Sequence, residues 1–231
     1  MKRLLLCILL ILPFVPAMAH ASNCSTTVGG IAVVVPVPLA KFTEVGIDKH
    51  DFFEWLVPTG NRLLCAFVPV DLLPTLKKPA MGMDRYMLVE TVQSYDDAKK
   101  EVPSADFEEI ITAVKAKLGD TKEMNQIIQP TGEELNRKLK AIDDSKDVSL
   151  DQPSNLGTIF QSPNVYAFAM IVPVTSAGTT KRVINASVLL RVRDRLVFAY
   201  IYASGGDQTS LQWTQQTASA WAQQILASNT N

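Results

Sequence analysis

Two histidines are present in the chain, and only His50 lies beyond the first twenty residues. Asp48 and Asp51 flank it, so a carboxylate could orient its imidazole towards a serine brought near by the fold. No Gly-x-Ser-x-Gly elbow accompanies it. A lone surface histidine is therefore the expected reading, with an exported hydrolase using His50 as the catalytic alternative.

Asp143, Asp144, Asp147 and Asp151 form the densest acidic stretch. Oxygen ligands at that spacing could hold Ca²⁺, but Val148 stands where such a loop needs its glycine and Ser154 where it needs its closing glutamate. A solvated loop is expected there, and neither metal nor cofactor is expected elsewhere. Arg191, Arg193 and Arg195 alternate around one short connection, with Arg182 upstream. On one side of a hairpin their guanidinium forks would bind a carboxylate or phosphate, against the opposing charge of Asp194. Gly205-Gly206 precedes a helical segment whose first amides could meet an anion. Asp207 is expected to take those donors as a cap.

The elements that must position these groups begin behind an address. Lys2 and Arg3 precede the apolar run Leu4 to Leu12; Pro13 and Pro16 break it, and Ala17, Ala19 and Ala21 follow. That order is the signature of a secretory signal peptide over residues 1–21, cleaved after Ala19 or Ala21. The run is short against roughly 30 Å of hydrocarbon. Asn23, before Cys24, argues against lipid attachment to that cysteine. A product that is periplasmic or extracellular is expected, about 210 residues long, with its formal charge moved from -1 to about -3. Such a balance offers nucleic acid or an anionic membrane no net attraction. Cys7 leaves with the leader, so Cys24 and Cys65 remain. They form either a disulfide or a free thiol and a buried one.

Strands are expected over Ile31–Val37, Arg62–Val68, Tyr86–Val92, Val165–Val172, Val183–Val192 and Leu196–Tyr202. Phe52–Leu56 and Asp71–Leu76 read as short helical turns. Phe107, Ile110, Ile111, Val114 and Leu118 make a helical stripe behind a Ser104 cap. Met124, Ile127 and Ile128 suggest a short helix stopped by Pro130, followed by a Thr131/Glu134 capping box that starts another. Residues 143–157 read as a loop and the place for a boundary, if there is one, within an otherwise single domain over 22–231. Arg193-Asp194-Arg195 joins an antiparallel hairpin. The final helix carries Trp221 on its apolar face, and Trp213 points about 160° away from the middle of that face at 100° per residue.

The order of hairpin and long terminal helix, Val183–Val192, Leu196–Tyr202 and Gln208–Ser228 with two tryptophans, resembles the end of the PsbP-like α/β/α sandwich. The likeness covers about 50 residues, from Arg182 to Asn229, and rests on element order alone. It implies an exported domain that acts in binding or assembly, and it transfers no functional residue.

From Leu196 to Asn231 the one charged side chain is Asp207, while glutamines dominate the polar positions. Gln212 and Gln216 with Trp213 would form a neutral surface that is cheap to desolvate. The expectation is an α+β protein, a mainly antiparallel sheet packed with helices in an α/β/α arrangement. Its expected role is non-catalytic, either recognition of another exported or envelope protein or accessory assembly. The alternatives are the His50 hydrolase and a small-molecule binding protein with a pocket between helix and sheet lined by Tyr86, Tyr166, Phe168 and Tyr200.

Overall fold

A computed structural model describes residues 23–230. The expected export signal, with Cys7 and His20, lies outside the described residues. The chain opens with a hairpin, β1 (Cys24–Val28) and β2 (Ile31–Val35). Gly29 and Gly30 turn it with φ of 55° and 76°, the left-handed pair that a two-residue hairpin loop requires. Then come β3 (Phe42–Glu44), 3₁₀ turns at Ile47–Phe52 and Glu54–Leu56, and β4 (Asn61–Pro69). A 3₁₀ turn at Leu73–Thr75 leads to β5 (Arg85–Val92).

The helical insert is α1 (Gln93–Asp97), α2 (Ser104–Gly119) and α3 (Thr121–Ile142). Four long strands and a short one close the sheet: β6 (Ser149–Leu150), β7 (Ser154–Ser162), β8 (Val165–Ser176), β9 (Thr179–Val192) and β10 (Arg195–Ser204). The last helix is α4 (Gln208–Ala227). The main sheet has eight strands in the order β3-β4-β5-β10-β9-β8-β6, with β7 also on β8, and every pairing is antiparallel.

Side chains alternate across this sheet, and both faces are covered. Met87, Val89, Val188, Leu190, Val197 and Ile201 pack beneath α4 and the β1–β2 ribbon. Trp221 anchors α4 there, edge-on to Phe67 at 5.5 Å, with its indole N–H donating to the Pro36 carbonyl. The other face meets two separate covers. At one end α2 brings Phe107 and Ile111 onto Tyr166, Phe168 and Leu189. At the other, the 3₁₀ turns, the 80–83 loop and α3 lie over the continuation of β8 and β9.

The structure revises four local expectations. Ser104 is the first residue of α2 and Pro103 its N-cap, without a side-chain capping bond. Pro130 does not stop a helix: α3 runs through it. A proline inside a helix costs about 3 kcal/mol, and α3 offsets that with an Asp120 cap and with Leu135 and Leu139 buried against Trp55 and Val148. Thr131, expected as a cap, gives its hydroxyl to the Ile127 carbonyl. Glu134 accepts from both the amide and hydroxyl of Thr59 at 2.6 Å, and so ties α3 to the loop before β4. The 143–157 segment is not all loop, since it contributes β6 and the start of β7 to the same sheet.

β8 also continues beyond the expected stop at Pro173. The Pro173 carbonyl accepts from Asp151 N–H, so its missing donor points the same way, towards β6 and β7 and away from β9. The β8–β9 ladder closes around it, with Pro173 opposite Arg182.

Candidate functional site

That continuation makes the site. Beyond Pro173, β8 and β9 reach a turn at Ala177-Gly178 with φ of 48° and 72°. Val172, Val174 and Ser176 alternate with the outward residues of β8, and Thr179, Lys181, Val183 and Asn185 do so on β9, all on the face away from α4. Tyr86 of β5 and Tyr202 of β10, ring centroids 4.5 Å apart and nearly parallel, bound the space on one side. Trp55, Leu56, Met81, Met83, Leu135, Val148 and Leu150 roof it. Together these residues enclose a cavity of about 480 Å³, within the range of small-molecule sites.

Its roof is held by specific bonds. Trp55 donates its indole N–H to the Ala80 carbonyl, which leaves the apolar ring for the cavity. Lys138 of α3 donates to the Val57 carbonyl and pairs with Glu134 at 3.0 Å. A Cβ on Gly132 would lie 3.2 Å from Leu150, so the missing side chain lets β6 approach α3. The Ser176 hydroxyl donates to the Asp147 carbonyl, and Asp147 accepts from the Ala177 amide, fixing the rim.

The lining is mostly aliphatic and aromatic, and its few polar groups are distinctive. Asn185 is 6 % exposed. Its Oδ1 accepts from the Ser187 hydroxyl at 2.7 Å, while its Nδ2 is buried without a hydrogen-bond partner. An amide flip would exchange the orphan donor for an orphan acceptor, because the serine hydroxyl serves either end. Leaving such a group unpaired costs about 1–3 kcal/mol. Burial raises the hydroxyl pKa of Tyr86 and of Tyr202 above the usual phenol value, with a further push on Tyr202 from its neighbours, so both stay neutral donors. At the rim stand the exposed Lys146 and Lys181.

The expected pocket lies elsewhere in part. Tyr86 lines the cavity, but Tyr166 and Phe168 are packed under α2, and Tyr200 lies outside the lining set, among the residues packed beside Tyr86 and Tyr202. His50 is not a surface residue. It is 9 % exposed in the first 3₁₀ turn, and its Nε2 sits 2.9 Å from Glu44 Oε1, whose other oxygen accepts from Gly46 N–H. Asp51 pairs with Lys78 instead, and the imidazole faces the Glu44 carboxylate rather than a serine.

The acidic stretch does not converge. Asp143 folds onto Ser145, Asp147 onto Ala177, and no group of three metal-ligating side chains forms among the described residues. Asp151 contributes its backbone amide to Pro173.

The arginines disperse in the same way. Arg191 binds Asn164 and Asp194, Arg193 reaches the Ala32 carbonyl, and Arg195 is buried against the Gly29 turn with its Nε unpartnered. They fasten the β9–β10 turn to its surroundings and make no common anion site. Asp207 caps α4 by accepting from Ser210 N–H at 2.7 Å.

Trp213 is half-buried, stacked on Phe42 at 6.3 Å with the Arg85 guanidinium 4.3 Å from its ring centre. Gln212 and Gln216 are exposed on α4. Gln216 also lines an open cleft between α4 and β7. Cys24 and Cys65 are bonded to each other, joining the ribbon to β4.

Comparison with known proteins adds little to this geometry. No family model matches the chain, and no curated protein sequence does. Among solved structures, a point mutant of the protein Mog1 is similar at 13% identity and TM-score 0.33, over 90% of this chain and 93% of that one. The Ran-binding protein Mog1p of Saccharomyces cerevisiae is similar at 14% identity and TM-score 0.28, over 91% of this chain and 93% of that one. Scores of that size carry no argument about function.

Proposed function

We propose that the protein is an exported, non-catalytic binding protein that holds a small, largely apolar molecule in the cavity between the β8–β9 extension and α3. The observation that carries this reading is the buried Asn185 amide, one end of which has no protein partner within a mostly apolar lining. A polar group kept in such a place is costly to the fold alone and useful for orienting a ligand. The disulfide suits an oxidising compartment and supports the export expected from residues 1–21. The PsbP-like order of the last elements is in keeping with a binding role.

The test uses a neutral apolar fluorophore, N-phenyl-1-naphthylamine, titrated into the protein. Saturable enhancement is expected, and Val174→Trp, which fills the cavity from β8, should abolish it without altering the cooperativity of unfolding. Enhancement that is absent, or that Val174→Trp leaves intact, overturns the reading.

One observation favours protein recognition as a second activity. The open cleft between α4 and β7 is lined by Thr158, Gln215, Gln216, Ser219 and Gln223 among others, and no charged side chain lines it. Gln216→Lys should weaken such a contact and leave fluorophore binding unchanged.

A further inference from the structure

We infer that the cavity selects a single-chain amphiphile with an anionic head, its tail inside and its head at the rim between Lys146 and Lys181. This rests on the cavity reading above and goes beyond it by assigning the charge and orientation of the ligand.

Lys181, Val183 and Asn185 occupy successive inward positions on β9. From the rim inward a ligand therefore meets a cation, then a branched aliphatic side chain, then a buried amide. At about 3.4 Å per residue the Lys181-to-Asn185 span is roughly 14 Å, which suits an elongated molecule better than a compact one. Lys146 reaches the same rim from the segment after α3, so the two ammonium groups come from elements far apart in sequence. Neither lysine pairs with a carboxylate among the described residues, whereas Lys78 and Lys138 do. Of the carboxylates in the adjoining segment, Asp143 feels the Lys146 charge but folds onto Ser145, and Asp147 accepts from the Ala177 amide.

Placement of the charges at the rim matters energetically. An anionic head held there keeps much of its hydration, so it escapes the penalty of burying a charge. The tail gains from leaving water in proportion to its buried area. A cationic head would meet two like charges at the same place. Because the lysines are exposed, their attraction is modest and screened by salt, so selectivity should be modest and salt-dependent.

The experiment is competition against the neutral fluorophore with laurate, monododecyl phosphate, dodecanol and dodecylammonium, at low salt and below the critical micelle concentration of each. Laurate and monododecyl phosphate should displace the fluorophore about tenfold better than dodecanol, and dodecylammonium should be the weakest. In a Lys146→Ala/Lys181→Ala variant the two anions should fall to the level of dodecanol, which should itself be unchanged. Added salt should narrow the difference in the wild-type protein only. Preference for laurate over the phosphate, or the reverse, distinguishes a free fatty acid from a phosphate head. Equal displacement by laurate and dodecanol, or an anion preference that survives loss of both lysines, overturns the inference while leaving the cavity reading standing. Failure of the fluorophore itself to bind overturns the cavity reading instead.

Discussion

Glu90 lies on β5, 1 % exposed, with only Asn61 Nδ2 donating to its carboxylate at 2.9 Å. Loss of water pushes its pKa up from 4.5 to about 7, against smaller opposing effects of Asn61 and Lys138. The folded state therefore holds its proton over a window in which the unfolded chain has already lost it. The contribution of Glu90 to stability should be fully present below pH 4.5, fall as pH rises through the window, and be gone above about pH 7. The contribution lost is about 3 kcal/mol at 1.36 kcal/mol per unit. Glu90→Gln keeps the shape and an acceptor for Asn61. Denaturant midpoints measured at pH 5 and pH 8 should converge in the variant, and an unchanged pH slope would contradict this assignment.

At the scale of elements, the β1–β2 ribbon depends on long-range ties. The Cys24–Cys65 bond closes a loop with a sequence separation of 41. The Asn229 side chain after α4 completes β2 by donating to the Val34 carbonyl and accepting from its amide. Gly29 donates to Asp96, which also holds Arg62. Closing a loop of that length is worth about 4 kcal/mol in the chain-entropy account. A Cys24→Ser/Cys65→Ala variant should lose roughly 2–4 kcal/mol of unfolding free energy and expose the ribbon amides to faster hydrogen exchange, while the β9–β10 pair keeps its protection. Uniform loss of protection across both would contradict that division.

Elements with their own periodicity and caps were legible from residue order. The β4 and β5 strands, the β9–β10 hairpin, the α2 stripe and the Asp207 cap all lie within a few residues of their expected places. Errors arose where a local signal was outweighed by distant contacts. Pro130 reads as a stop, but burial of Leu135 and Leu139 carries α3 through it. Pro173 reads as a strand end, but the side of the strand its nitrogen faces decides the matter. β1 has no apolar alternation to announce it and is defined by its pairing with β2.

For the molecule as a whole, the expected α/β/α layering is present, but the site it creates was not visible in advance. The cavity draws on residues from Trp55 to Ser204, and its rim lysines are 35 positions apart. The arginine cluster that looked like an anion site is instead spent on tying one hairpin to its neighbours, because its alternation along adjoining strands sends the side chains to different partners. No helix among the described residues is long and apolar enough to cross a membrane.

Trp55 offers a direct test of occupancy. It is one of three tryptophans in the chain and the only one lining the cavity, while Trp213 and Trp221 pack on the opposite face of the sheet. Bromine quenches indole emission on contact, so a neutral bromododecanol locates a bound tail without invoking the rim charges. The account predicts saturable quenching of tryptophan emission that disappears in Trp55→Phe. Quenching that fails to saturate, or that persists undiminished in Trp55→Phe, would contradict the cavity as the binding site.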